Sequence, residues 1–193
     1  DGDSNVAIGA EALGANLDGH DNTAVGHSAM VTNTTGQRNV AIGHDALLTN
    51  ATGNDNTALG MGALYHNVAD NNTAVGMYAL IANTTGTPNT AIGFKAMLTN
   101  TTAVNNTAVG YNALNAQTDG NGRNACFGHE AGGAITSGNK NTCIGTSSGE
   151  TMVTNLNCTT LGYNAQASAN NASNEMTFGD ANVSALRSAD QSI

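Results

Sequence analysis

Residues 39–60 read NVAIGHDALLTNATGNDNTALG, and this stretch opens and closes on one phrase. Asn39-Val40-Ala41-Ile42-Gly43 is answered by Asn56-Thr57-Ala58-Leu59-Gly60. Working outward, the phrase returns as Asn22 to Gly26, Asn72 to Gly76, Asn89 to Gly93 and Asn106 to Gly110. Its closing glycine falls at Gly9, Gly26, Gly43, Gly60, Gly76, Gly93, Gly110, Gly128, Gly145, Gly162 and Gly179, so every step is 16, 17 or 18 residues. Eleven copies at so strict a period mark a repeat architecture. A 17-residue unit is too short for a pair of helices and fits one coil of a β-solenoid.

Each copy resolves into columns. The residue before the glycine is apolar throughout, from Ile8 to Phe178. Two places earlier stands Val or Thr in most copies, and between them Ala, Cys or Thr. This alternation over a short β-branched run reads as a strand, with the apolar and Val/Thr columns on one face and Ala on the other. The apolar and Val/Thr columns are expected to face the core, and the glycine to end the strand at a corner. Ala-Leu or Ala-Met pairs follow three residues later, as in Ala46-Leu47, and suggest a second inward layer on a second short strand. Turns such as Asn33-Thr34-Thr35-Gly36 come next, where Asn and Gly suit positive φ. The Asn column (Asn5, Asn22, Asn39, Asn56, Asn72, Asn89, Asn106, Asn124, Asn141) is expected to stack as a structural ladder.

The expected fold is therefore all-β, a repetitive β-solenoid of about eleven 17-residue coils. Residues 1–171 form the shaft and 172–193 a C-terminal tip or junction. At the spacing of neighbouring strands, about 4.8 Å, the rod is roughly 50 Å long. Each coil buries about three apolar side chains, so stability rests on stacking and on association, with Ala-rich faces allowing neighbouring chains to approach. A homo-oligomer is expected. The chains either coil on themselves or interwind.

Composition limits the function. Charged residues make up 10% of the 193, Lys plus Arg total five and the net charge is −9, which excludes a phosphate-binding surface and hence nucleic acid. No apolar run is long enough to insert in a membrane, and no signal peptide is visible. The chain begins at Asp1 inside a repeat, as a piece of something longer would. Cys126 and Cys143 occupy the Ala column in successive coils; they are either small replacements for Ala or close enough to bond. An odd count of three suits assembly in a reducing compartment.

The phrase Asn-Val-Ala-Ile-Gly at 5–9 and 39–43 resembles the β-roll head of trimeric autotransporter adhesins. The Asn-Thr-Ala-Val-Gly runs with a following Ala-Leu are similar to bacteriophage tail-fibre and tail-spike shafts. The segment Asn174 to Arg187 resembles the stretch upstream of those fibres' intramolecular chaperone domain, which folds the trimer and then cleaves itself off before a Ser. The chain stops at Ser192-Ile193, about where that cut would fall. The resemblance implies a homotrimeric fibre assembled in the host cytoplasm. It would belong to the virion tail, work outside the cell and attach to a host-surface glycan or protein.

Candidate sites sit where the rod varies. The column after the glycine holds His27, His44, Met61, Met77, Phe94, Tyr111, His129 and Tyr163, and the next position holds Glu11, Asp45, Tyr78, Lys95 and Glu130. Tyr78, Phe94, Tyr111, His129 and Tyr163 are the candidate receptor or glycan contacts, since aromatic rings stack on sugar rings; the other reading packs this column between chains. No cofactor or metal is expected, with His27 and His44 as weak candidates across a threefold axis. No catalytic residue is nominated: Glu11, Asp45, Glu130, Glu150 and Glu175 are scattered in sequence, whereas a glycosidase needs two carboxylates at a set separation. Gly132-Gly133 and Ser148-Gly149 break the Ala-Leu pattern and mark a cap or a tip. A reading of another class is an ice-binding rod, from the ladder of Thr23, Thr57, Thr73, Thr90 and Thr107; against it, Thr is expected to share a face with the core.

Overall fold

In a computed structural model, residues 2–119 and 121–183 are described. They contain eleven short strands: β1 (Val6–Ile8), β2 (Thr23–Val25), β3 (Val40–Ile42), β4 (Thr57–Leu59), β5 (Thr73–Val75), β6 (Asn89–Ile92), β7 (Asn106–Val109), β8 (Ala125–Phe127), β9 (Thr142–Ile144), β10 (Thr159–Leu161) and β11 (Met176–Phe178). All pair in parallel, each with the next in sequence. The register puts column on column: Val40 faces Thr57, Ala41 faces Ala58 and Ile42 faces Leu59. The chain is thus an all-β solenoid that coils on itself. β11 lies within the expected C-terminal segment 172–193 and continues the sheet. The stretch Ser184 to Arg187 and the expected cut at Ser192-Ile193 lie outside the described residues.

The repeat builds one strand per coil where two were expected. The Ala-Leu side carries no strand. Instead the backbone alternates in hand: Asp45 and Leu47 have φ of 59° and 51°, while Ala46 between them stays negative. This alternation serves the hydrogen bonds. Asp45 N–H donates back to His27 C=O at 3.0 Å, and Leu47 N–H donates forward to Ala63 C=O at 3.0 Å. The second wall is therefore laddered between coils without strand dihedrals. A left-handed Leu costs about 1–2 kcal/mol, while full burial of its side chain returns about 1.5–3 kcal/mol. The inter-coil bonds tip the balance further.

The two sheet faces are reversed from expectation. Ala24, Ala41, Ala58, Ala74, Ala91 and Ala108 are fully buried, as are Ala46, Leu47, Ala63 and Leu64 on the opposite wall. Ile42 and Leu59, by contrast, are 37% and 43% exposed. The interior is narrow: a Leu or Met crossing from one wall leaves room only for Ala on the other. The Ala columns are therefore core and cannot be the surfaces on which chains approach. The Val/Thr and apolar columns look outward instead.

The turn glycines have a different role from the one expected. Gly36 and Gly53 do not adopt positive φ; a Cβ on Gly36 would meet Asn33 Oδ1 at 2.4 Å and Gly53 O at 2.5 Å. Positive φ falls instead on the strand-ending glycines. Gly43 has φ 138°, and a Cβ there would meet Gly60 C and O at 2.6 Å.

One continuous buried amide ladder binds the coils, and a second is interrupted at Asn50, whose Oδ1, like that of Asn33, has no hydrogen-bond partner among the described residues. Asn39 N–H donates to Asn22 Oδ1, Asn56 N–H to Asn39 Oδ1 and Asn72 N–H to Asn56 Oδ1, at 2.9–3.0 Å. The same side chains reach across the coil, Asn39 Nδ2 donating to Gly53 C=O at 2.8 Å. In the second ladder, Asn33 donates to Asn16 Oδ1 at 2.7 Å and Asn100 to Asn83 Oδ1 at 2.8 Å.

The irregular coils exchange volume between columns. Where regular coils carry Leu and, three residues on, Asn, the eighth carries Gly132 and Ile135, and the ninth Gly149 and Met152. Ile135 and Met152 are fully buried and fill the space that the glycines leave.

Two outcomes are expected on thermal unfolding followed by circular dichroism. Asn56→Ala orphans the buried Asn72 N–H, at about 1–3 kcal/mol, while Ala69 C=O keeps its bond from Asn67 Nδ2; the outward Thr57→Ala stays within about 0.5 kcal/mol, and equal losses would refute the ladder's role. Ile135→Asn alone empties a core position and costs about 2–5 kcal/mol. Adding Cys126→Ala and Gly132→Leu rebuilds a regular coil, and most of that loss is recovered.

Candidate functional site

The variable column lies just past each corner glycine, and the register stacks its members one coil apart. Ring centroids of Phe94 and Tyr111 are 5.5 Å apart and those of Tyr111 and His129 4.8 Å, with interplanar angles of 10° and 11°. Three of the five nominated residues thus form one aromatic stack. Tyr111 is 44% exposed, so the stack has an open flank. Lys95 Nζ sits 5.1 Å from the Phe94 centroid and places a cation at the end of the stack. Tyr163 is exposed but separated from His129 by Thr146 in the same column, so it stands apart. Tyr78 belongs to the next column and is half-buried, its ring near Gly62.

A cleft opens where the regular pattern breaks. Its volume is about 240 Å³, and Asn112, Asn115, Glu130, Gly133, Ala134 and Glu150 line it. Gly133 offers no side chain to fill the notch, and four amide or carboxylate groups face it. Glu130 also lies 3.5 Å from His129 Nδ1 and so joins the cleft to the stack. Glu130 and Glu150, scattered in sequence, are brought to one cleft. Sequence reasoning singled out Glu130 and the Gly132-Gly133 break and set Glu150 aside as one of several scattered carboxylates, but did not name Asn112 or Asn115. Asn112 shares the column of Glu130, and Asn115 and Glu150 share that of Gly133; the corner geometry brings the two columns together. Amides and carboxylates beside a ring stack can bind sugar hydroxyls while the rings take the sugar's apolar face.

His27 and His44 form a second stack, 5.0 Å apart at 10°. Arg38 and Asp55 brace adjacent coils through paired bonds of 2.7 and 2.9 Å. That bond holds the Asp55 carboxyl below its usual range and raises the Arg38 guanidinium. Both groups are exposed, so the pair adds little stability. The three thiols are free and buried. Cys126 and Cys143 face each other across β8 and β9, and the hydrogen bond with Cys143, together with burial, pushes the Cys126 thiol well up.

Among the described residues, no helix is long and apolar enough to cross a membrane. Comparison with family models, curated proteins and solved structures finds no match.

The thiols give a direct check on this packing. Native chain treated with a chromogenic disulfide reagent at pH 8 should release no fast signal, and denatured chain three equivalents, because the nucleophile is the thiolate and all three sulfurs are buried. A fast equivalent from native chain would mean that the core opens around β8 and β9.

Proposed function

We propose that this chain is a shaft-and-tip segment of a phage tail fibre, a homotrimer that contacts a host-surface glycan. The carrying observation is the outward sheet face. Across eleven strands, the Val/Thr and apolar columns contain no charged residue, in a chain of net charge −9. Ile8, Leu59, Ile144 and Phe178 on this stripe are 60%, 43%, 43% and 42% exposed. A continuous apolar stripe about 50 Å long is larger than a lone soluble chain ordinarily leaves to water. Its repeat suits lengthwise packing against copies of itself, where one favourable rung contact recurs at every coil.

The glycan reading rests on the stack of Phe94, Tyr111 and His129 beside the cleft. No catalytic role is proposed for Glu130 and Glu150, which in this reading are hydrogen-bonding groups. The fibre would be assembled in the host cytoplasm, carried on the virion tail and used outside the cell. A trimeric adhesin head shares the packing argument.

One observation favours a second reading. The Thr column, expected to face the core, faces outward, and Thr57, Thr73, Thr90 and Thr107 occupy four successive rungs. A regular hydroxyl-and-methyl surface is what an ice-binding rod requires.

Light scattering separates the two. A mass of three chains, with glycan-array binding lost in Tyr111→Ala while the mass is retained, supports the fibre. A monomer that inhibits ice recrystallisation, with that inhibition lost in Thr73→Lys, overturns it.

A further inference from the structure

Along the variable column, four consecutive rungs are His27, His44, Met61 and Met77, an order of two imidazoles and then two thioethers. The His pair is exposed, and His27, His44 and Asp45 each offer a ligand atom within 4.8 Å of the others. A hydrogen-bond pattern organises the pair. His44 Nδ1 lies 3.1 Å from Asp45 Oδ2, which can only accept, so Nδ1 carries the proton. His27 Nδ1 lies 3.0 Å from Ser28 Oγ. That hydroxyl, in turn, donates to Glu11 Oε2 at 3.2 Å, which leaves its lone pair to accept from His27. Both rings are therefore held in one tautomer, each with Nδ1–H engaged by a carboxylate, directly or through a hydroxyl. Both Nε2 lone pairs are left free. The two rings stack nearly parallel, and each engages its Nδ1 on its own coil. This carboxylate-to-histidine support is the arrangement that orients metal-ligating imidazoles.

We propose that His27 and His44 form a surface site for one transition-metal ion within a single chain, copper best of all. Nε2 of each ring would be the ligand, Asp45 and the Glu11–Ser28 pair would orient the rings, and Met61 is the adjoining soft donor. The geometry allows it. Ligand bonds of about 2.0–2.1 Å at a roughly tetrahedral angle need the two Nε2 atoms about 3.3 Å apart, and exposed rings with centroids 5.0 Å apart reach this by tilting their Nε2 edges toward each other. The donor set chooses the metal. Imidazole suits zinc, nickel and copper, copper stands highest in the general affinity order, and thioether sulfur adds nothing for the harder ions. Met61 is 38% exposed and one rung from His44, so its flexible side chain can swing over the ion. This site does not depend on the trimer or on glycan binding.

The test is isothermal titration of the untagged chain with cupric sulfate and, separately, zinc chloride in a non-coordinating buffer. One equivalent of copper should bind, at least tenfold tighter than zinc. His27→Ala and His44→Ala should each weaken it tenfold or more, and Asp45→Asn about 10–100-fold, as loss of an orienting partner does. His66→Ala and His129→Ala should leave it unchanged. Copper should also raise the unfolding temperature of the parent chain and not of His44→Ala, since an ion that binds only the folded state stabilises it. Unchanged copper binding in the His27→Ala/His44→Ala double variant would overturn the site. Zinc bound more tightly than copper would overturn the assignment of the metal.

Discussion

A coil with a single three-residue strand leaves most of its backbone outside any sheet, and a buried asparagine resolves that deficit. Each ladder Asn uses Oδ1 to accept the backbone N–H of its counterpart in the next coil, and most, such as Asn56, use Nδ2 to reach the carbonyl on the far turn. One side chain thus ties a coil to its neighbour and also closes a coil across its own width. Neither bond can be exchanged for water, because the Asn is fully buried, so the ladder must run unbroken. It does so from Asn5 to Asn141 and ends on Cys158, whose N–H still finds Asn141 Oδ1 at 2.9 Å. The 16- and 18-residue coils show what the constraint permits: the Asn56–Asn72 and Asn106–Asn124 rungs stay at 2.9 and 3.0 Å. Length variation is absorbed in the turns and never in the ladder.

The period, the strands and the pairing of like with like were legible in the sequence, because a repeat in a parallel stack puts each residue on its own image. The facing of the strand was not. Alternation shows that Thr57 and Leu59 share a side, but not which side is inside. The usual inference, that the larger apolar residues are inside, fails because Leu64 on the opposite wall already fills a narrow interior. The missing second strand has a related cause. Leu47 and Leu64 are residue types that rarely take left-handed backbone, so nothing in their identity announces it. Gly36 looked like a residue chosen for its φ, and its role is steric: the Asn33 amide and the Gly53 carbonyl occupy the space of a Cβ.

The sites divide along the same line. Phe94, Tyr111 and His129 share a column, so their stacking follows from the period. Glu130 and Glu150 belong to different columns, and their meeting depends on how the chain rounds its corner. The notch between them exists because Gly133 presents no side chain, a feature visible in sequence only as a broken pattern.

Stacking at one fixed pitch favours like beside like, and the variable column shows this: His27 with His44, Met61 with Met77, Phe94 with Tyr111. Chemistry along the rod therefore comes in blocks of two or three coils. These side chains stand outside the core, so one block can be altered without emptying the coils beneath. The interior offers no such freedom. Where Gly132 stands in the Leu column, Ile135 enters from the Asn column, and a Cβ on Gly132 would meet both Cys126 Sγ at 2.6 Å and Ile135 Cδ1 at 3.0 Å, so one departure inside requires coordinated changes at three positions. A scaffold whose inner columns are so tightly tied, and whose outer columns are nearly independent, can carry a histidine pair and an aromatic stack on one uninterrupted fold.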